Sequence, residues 1–244
     1  MSEQVSGNEI DLEAVGDDIV DMPDRLDLLL VEAGVVGTRT KAQKLIKVDK
    51  GEDYVSRGAY KLVGAFEAFH EQGLAEPKGL QCLDIGASTG GFCDVLLRRG
   101  AGRVVALDVG HGQLDPRIAT DPRIIEMSGV NIRDVFADDL PFRPQMIVSD
   151  VSFISLTYVI PVIARIAAPG AAVVLLVKPQ FEVGRDGLGK NGIVESEELR
   201  RKALHDVMDC ARREGLNVVA TAPSPIEGTH GNAEWLLYAR TAQA

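Results

Sequence analysis

The segment Leu80-Gln-Cys-Leu-Asp84-Ile-Gly86-Ala-Ser-Thr-Gly90-Gly91-Phe92 constrains this chain more than any other. An apolar run ends in an acid, a glycine-rich turn follows, and a helix-like segment begins. In an α/β sheet that order builds a ligand pocket at the carboxyl end of the first strand. The glycines let the backbone approach a ligand closely, and a neighbouring acid can hold ribose hydroxyls or a positive group.

Beyond Gly79, apolar runs alternate with helical patterns. The alternation predicts strands near residues 80–85, 103–108, 123–127, 145–150, 171–177, 216–222 and 234–240. It predicts helices near 91–99, 155–167 and 195–213. Such a chain forms a mostly parallel, doubly wound sheet. Met146-Ile-Val148 and residues 171–177 are continuous apolar runs, as in strands covered on both faces. Only residues 223–231 join the last two runs, and a parallel crossover needs about a dozen residues or more. The final strand is therefore predicted to return antiparallel. Seven strands ending in an antiparallel hairpin resemble the Rossmann-like class I methyltransferase fold.

Charge is uneven along the 244 residues, whose formal net charge is −10. Residues 1–24 hold eight acids and no Lys or Arg, and the remainder holds 28 acidic against 26 basic side chains. Residues 1–23 read as an acidic disordered tail. Residues 24–53 read as a short helical segment, with helices at 24–34 and 40–46, and residues 54–244 as the main domain. Ser56 is expected to cap a third helix running from Tyr60 to about Phe69. A net negative charge speaks against a general nucleic-acid binder. Residues 39–61 nevertheless carry seven basic against three acidic side chains, a stripe able to track a phosphate backbone. Arg39, Lys41, Lys44 and Arg57 are its candidate RNA contacts, although a solvated helical face has the same composition.

Cys82, Cys93 and Cys210 form no CxxC pair and sit in apolar or helical surroundings, as expected of reduced core residues in a cytoplasmic protein. The four histidines (His70, His111, His205 and His230) lack metal-ligand spacing, and no metal is expected. No signal peptide and no run of 18 apolar residues is present, so neither secretion nor membrane spanning is expected.

Three chemistries compete for the glycine loop. A dinucleotide site needs G-x-G-x-x-G, and Ser88 stands where the middle glycine admits the pyrophosphate. Gly86-Ala-Ser88-Thr-Gly90 fits the G-x-S-x-G nucleophile elbow, with Asp150 and His230 following in order. No HGGG-type oxyanion motif precedes it, however, and the elbow falls on the first strand. The S-adenosylmethionine reading fits best. Asp84 ends the first strand, and Gly86, Ala87, Ser88, Gly90, Gly91 and Phe92 form the loop and helix start. Asp108 lies where the fold presents an acid to ribose hydroxyls. Asn131 follows the third strand within reach of an adenine edge, and Asp150 ends the fourth. Acids without a phosphate-binding lysine suit a cationic sulfonium. Residues 184–190 fit the start of a P-loop, but Asn191 replaces the Ser or Thr that holds Mg²⁺; the stretch reads as a mobile active-site loop.

The segments S-R-G-A-Y-K, L-D-I-G-A-S-T-G-G-F, V-S-D-V-S-F-I-S and L-V-K-P-Q-F-E resemble the TlyA (hemolysin A) branch of the FtsJ-like RNA ribose 2′-O-methyltransferases, from about Arg25 to Arg240. The resemblance implies S-adenosylmethionine as cofactor, and ribosomal RNA or ribosomal subunits as substrate. It also implies a catalytic Lys-Asp-Lys-Glu tetrad, which falls on Lys61, Asp150, Lys178 and Glu234. Of these, Lys178 is the most telling by itself, because it closes a seven-residue apolar run at the ligand-binding edge. Glu234 alone reads as a surface charge. A ribose 2′-hydroxyl is a poor nucleophile and needs a base. A free lysine, with a pKa of ~10.4, is protonated at neutral pH; burial and a second lysine both favour the neutral amine. Lys178 is expected to be the base or hydroxyl-orienting group, with Lys61 beside it and Asp150 and Glu234 orienting both.

Members of this branch begin with a complete S4 RNA-binding domain. Here residues 25–46 match its two helices and the strand half is missing, which makes the segment a truncated S4-like one. Two rival classes follow from the resemblance. One is a degenerate domain that binds cofactor without RNA. The other is a membrane-active protein, as the hemolysin label suggests, although the acidic N-terminus and the lack of a basic amphipathic helix oppose it.

Overall fold

A computed structural model describes residues 54–228 and 231–243. The helices expected at 24–34 and 40–46, the tail and S4-like segment, the candidates Arg39, Lys41 and Lys44, and His230 lie outside the described residues.

The described elements run α1 (Ala59–Phe69), β1 (Gln81–Ile85), α2 (Gly91–Arg98), β2 (Arg103–Asp108), α3 (Pro116–Ala119), β3 (Ile124–Ser128), β4 (Met146–Ser149), α4 (Leu156–Ile166), β5 (Ala172–Val177), α5 (Glu197–Arg213), β6 (Asn217–Pro223) and β7 (Trp235–Arg240). Short 3-10 turns fill several connections. The seven strands form one sheet in the order β3-β2-β1-β4-β5-β7-β6. The five strands from β3 to β5 run parallel, and β7 is antiparallel to both β5 and β6. The expected strands agree with the observed ones to within two residues at each end.

Strand side chains alternate faces with period two, which divides the core into two apolar layers. Leu83, Ile85, Ile147 and Leu175 face α4 and α5. Cys82, Val104, Val148 and Val174 face α1 and α2. Both faces of the central strands are therefore buried, which explains why β4 and β5 read as unbroken apolar runs. Pro161 interrupts α4 and leaves the Thr157 carbonyl without its usual helical N–H partner. The thiol of Cys210 on α5 approaches that oxygen at 3.9 Å.

The expected Ser56 cap does not form. Gly58 occupies the N-cap position of α1, with no side-chain hydrogen bond. Ser56 gives its carbonyl to the Ala59 N–H. Its hydroxyl lies against the first turn of α2, where a Cβ on Gly91 would run into it. Gly91 thus lets residues 56–59 close onto α2, and that close approach takes the Ser56 hydroxyl away from capping geometry.

The antiparallel return of β7 decides where the site lies. Val177 at the end of β5 pairs with Trp235 at the start of β7. Glu234 therefore arrives at the sheet edge where Lys178 leaves it. Ser149, the last residue of β4, pairs with Leu175, so Asp150 emerges at the same edge. Among the described residues no helix is long and apolar enough to cross a membrane.

Candidate active site

Lys61, Asp150, Lys178 and Glu234 meet at the carboxyl edge of the parallel strands. Lys61 Nζ donates to Glu234 Oε2 at 2.7 Å and lies 3.6 Å from Asp150 Oδ2. Lys178 Nζ lies 2.6 Å from Asp150 Oδ1. Asp150 therefore bridges the two amines, and Glu234 closes the far end. Lys61, Lys178 and Glu234 are buried, while the Asp150 side chain keeps 19% exposure toward the cleft. Two cations and two anions in so little volume offset one another, which is the condition for burying charges together. Gln180 adds a 3.5 Å contact from Nε2 to Glu234 Oε1.

A cavity of about 800 Å³ adjoins the tetrad, with Asp150 in its wall. Gly86, Ser88, Asp108 and Asn131 line it, so the structure brings these expected cofactor residues together. The Asp108 carboxylate accepts the Ser88 N–H at 2.9 Å and the Gly110 N–H at 2.8 Å. Each oxygen keeps acceptor capacity for a ligand hydroxyl. Asn131 accepts the Arg133 N–H at 3.1 Å and so caps the turn that follows β3. Gly86 has φ +84, and a Cβ on it would lie 3.2 Å from the Asp150 carbonyl oxygen. The loop after β1 can therefore pass against the end of β4, joining the two walls.

Asp84, Ala87, Gly90, Gly91 and Phe92 do not line this cavity. Asp84 shares the parity of Cys82 and points to the α2 side of the sheet. There it is completely buried, and its Oδ2 accepts the Cys93 thiol at 3.1 Å. Its Oδ1 has no hydrogen-bond partner among the described residues. Burial pushes the Asp84 carboxyl up to about 7, with the Cys93 thiol opposing the rise. Burial also raises the Cys93 thiol well above its usual range, and burial with the nearby Asp84 takes Cys82 to about 12. Gly90, at φ +92, starts α2, and Phe92 and Ala87 are core residues. Asp84 thus supports the glycine loop from beneath.

Arg57 stands beside Lys61 at a second cleft of about 460 Å³ and donates to the Glu227 carbonyl at 2.6 Å. Residues 184–190 fold into short turns rather than the helix that a P-loop requires. That stretch is fastened beyond its end by Asn232, whose amide donates to the Gly192 carbonyl and whose oxygen accepts the Val194 N–H, each at 3.2 Å. Ser88 has φ +48, as a strained turn would give. The Asp108 carboxylate accepts its N–H, however, which gives the loop an anionic neighbour.

Three residues at the site were not read from the sequence. Ser152 accepts a 2.8 Å hydrogen bond from Lys178. Glu182 binds the start of α4, and its carboxyl is raised by burial, with the bonds from Ser155 and Leu156 acting the other way. Gly228 lies so close to Glu234 that a Cβ would collide with the carboxylate. Ser152 and Glu182 sit within the quoted V-S-D-V-S-F-I-S and L-V-K-P-Q-F-E segments, each a few residues past a tetrad member, and that spacing was their only signal.

Residues 54–241 match the model of the FtsJ-like methyltransferase family. The chain is 43% identical over 196 residues to the Mycobacterium tuberculosis 16S/23S rRNA (cytidine-2′-O)-methyltransferase TlyA, covering 80% of this chain and 72% of that protein. It is 40% identical over 216 residues to Hemolysin A of Brachyspira hyodysenteriae, covering 83% of this chain and 85% of that one. A solved structure from Streptococcus thermophilus, described as a hemolysin, superposes with a TM-score of 0.76 at 35% identity, covering 91% of this chain and 89% of its own. The site therefore stands on a shared scaffold, and the chain belongs to the FtsJ-like methyltransferase family.

Proposed function

We propose that this chain methylates the 2′-hydroxyl of ribose in RNA, with ribosomal RNA as the substrate class and S-adenosylmethionine as the methyl donor. The observation that carries the reading is the Lys61–Asp150–Lys178–Glu234 cluster, which shares Asp150 with the 800 Å³ cavity. The names of the relatives support the RNA and its 2′-oxygen.

The cavity suits such a donor. Asp108, Asp150 and Arg133 line it together with the apolar Ile85, Leu107 and Val130. That lining favours a cationic nucleoside over a pyrophosphate. Asp108 would hold the ribose hydroxyls and Asn131 the adenine edge. When bound, S-adenosylmethionine supplies an electrophilic methyl group on a sulfonium. Lys178 Nζ holds the hydroxyl of the substrate and, acting as the neutral amine, takes its proton. The resulting ammonium is stabilised by Asp150 at 2.6 Å. Lys61, held by Glu234, fixes the second oxygen of Asp150. The remaining catalysis is alignment of two bound reactants, worth roughly 7–11 kcal/mol.

The division into an acidic tail (1–23), a truncated S4-like segment (24–53) and a catalytic domain (54–244) goes with this reading, as does a cytoplasmic location. Of the four candidate RNA contacts Arg57 is the one among the described residues, and it stands beside Lys61.

Transfer of labelled methyl groups from S-adenosylmethionine to ribosomal subunits and to naked RNA tests the proposal. Alkali-stable label on a ribose 2′-oxygen is the expected result. Cofactor binding without methylation of any RNA would overturn it in favour of a degenerate domain. Liposome leakage without cofactor would overturn it in favour of a membrane-active protein.

A further inference from the structure

Two loops meet beside the tetrad. Residues 151–155 follow Asp150 and line the cavity. Residues 178–182 follow β5. Three contacts join them. Lys178 Nζ donates to Ser152 Oγ at 2.8 Å. The Phe153 and Phe181 rings meet with centroids 5.2 Å apart. Glu182 accepts the Ser155 hydroxyl at 2.5 Å and the Leu156 N–H at 2.9 Å, which also neutralises the first turn of α4. Phe153 sits at φ +64 and is 92% exposed apart from the Phe181 ring.

We propose that Ser152 and Glu182 are positioning residues that clasp the Lys178 segment to the cavity-lining loop and aim the Lys178 amine at the reacting hydroxyl. The inference rests on the methyl-transfer reading of the site. Asp150 alone sets one N–O distance and leaves the amine free to turn about it. Ser152 supplies a second acceptor and removes that freedom. An ammonium has three N–H bonds. Ser152 directs one of them and the Asp150 ion pair fixes the nitrogen, so that when the amine gives up a proton its lone pair is aimed at the substrate hydroxyl. Glu182 holds the other end of the same short turn, so residues 178–182 are fixed at both ends.

The test uses the full chain and compares Ser152→Ala, Ser152→Thr and Glu182→Gln. Ser152→Ala is expected to lower kcat about a hundredfold while S-adenosylmethionine affinity stays within about twofold. Ser152→Thr keeps the hydroxyl and is expected to stay within about fivefold of wild type. Glu182→Gln is expected to fall between them. In ¹⁵N-lysine-labelled protein, the Lys178 ammonium signal should be resolved in wild type and Ser152→Thr, and broadened by water exchange in Ser152→Ala. An unchanged kcat in Ser152→Ala overturns the proposal. So does a parallel loss of cofactor affinity, or an equal fall in Ser152→Ala and Ser152→Thr. A wild-type chain that methylates nothing strikes the methyl-transfer reading instead, and the ammonium signal still decides whether the clasp holds Lys178.

Discussion

Lys61 and Glu234 are 173 positions apart in the chain and 2.7 Å apart in the fold. Neither faces open solvent, with side chains 10% and 2% exposed. This contact ties the first described helix to the start of the last strand, and through Asp150 it reaches Lys178.

Breaking that pair from one side strands a buried charge. Glu234→Ala is expected to cost about 3–5 kcal/mol in urea unfolding. The double change Lys61→Met with Glu234→Leu should recover most of that loss, because apolar residues of similar volume replace a buried pair at little cost. Methyl transfer should stay absent in both variants. Activity returning with stability would mean the pair is structural only.

Lys178→Ala removes the group assigned to the hydroxyl proton. Methylation is expected to fall by about 10²–10⁴-fold. Cofactor affinity by calorimetry should stay near wild type, because Lys178 does not line the cavity. Retained turnover would move the role of base to Lys61.

Asp84 links stability to pH. Its folded carboxyl is raised to about 7 by burial, so the folded state holds a proton that the unfolded chain releases near pH 4. Stability from this group is fully present below that value and is lost as pH rises to about 7, on the order of 4 kcal/mol at most. Thermal melts of Asp84→Asn against wild type from pH 4 to 8 should show the variant gaining steadily until pH 7. Parallel curves would mean the carboxyl finds a partner when ionised.

Gly228→Ala forces the Glu234 carboxylate aside. Overpacking of this kind costs about 1–3 kcal/mol. Loss of activity should exceed what the melting temperature explains, since the Lys61 contact moves with Glu234. Wild-type kinetics in a folded Gly228→Ala variant would show that the placement of Glu234 is not limiting.

Ser88→Ala is expected to leave methylation within about twofold of wild type. The Ser88 contribution to the cavity is its N–H to Asp108, which alanine keeps. Among the described residues its hydroxyl makes only a 3.5 Å contact with Gln113. A dead Ser88→Ala enzyme would restore the nucleophile reading of the G-x-S-x-G loop.

By itself the sequence determined the alternating elements, the parallel sheet with an antiparallel last strand, and the strand-end positions of Asp84, Asp108, Asp150 and Lys178. These features follow from local periodicity and from the short 223–231 connection, which a linear reading detects. Taken alone Glu234 read as a surface charge, because nothing local distinguishes it; only the family resemblance named it a tetrad member, and the β5–β7 register set it against Lys61. Asp84 and Ile85 are neighbours in sequence, yet side-chain alternation puts Ile85 in the cavity wall and Asp84 beneath the loop on the opposite face. Ser152, Glu182 and Gly228 acquired roles from contacts between loops that lie 26 residues apart, as with Lys178 and Ser152, or from close approach of backbone to a carboxylate. Such contacts depend on where the sheet sets each strand end in space, which is why the tertiary structure alone decided them.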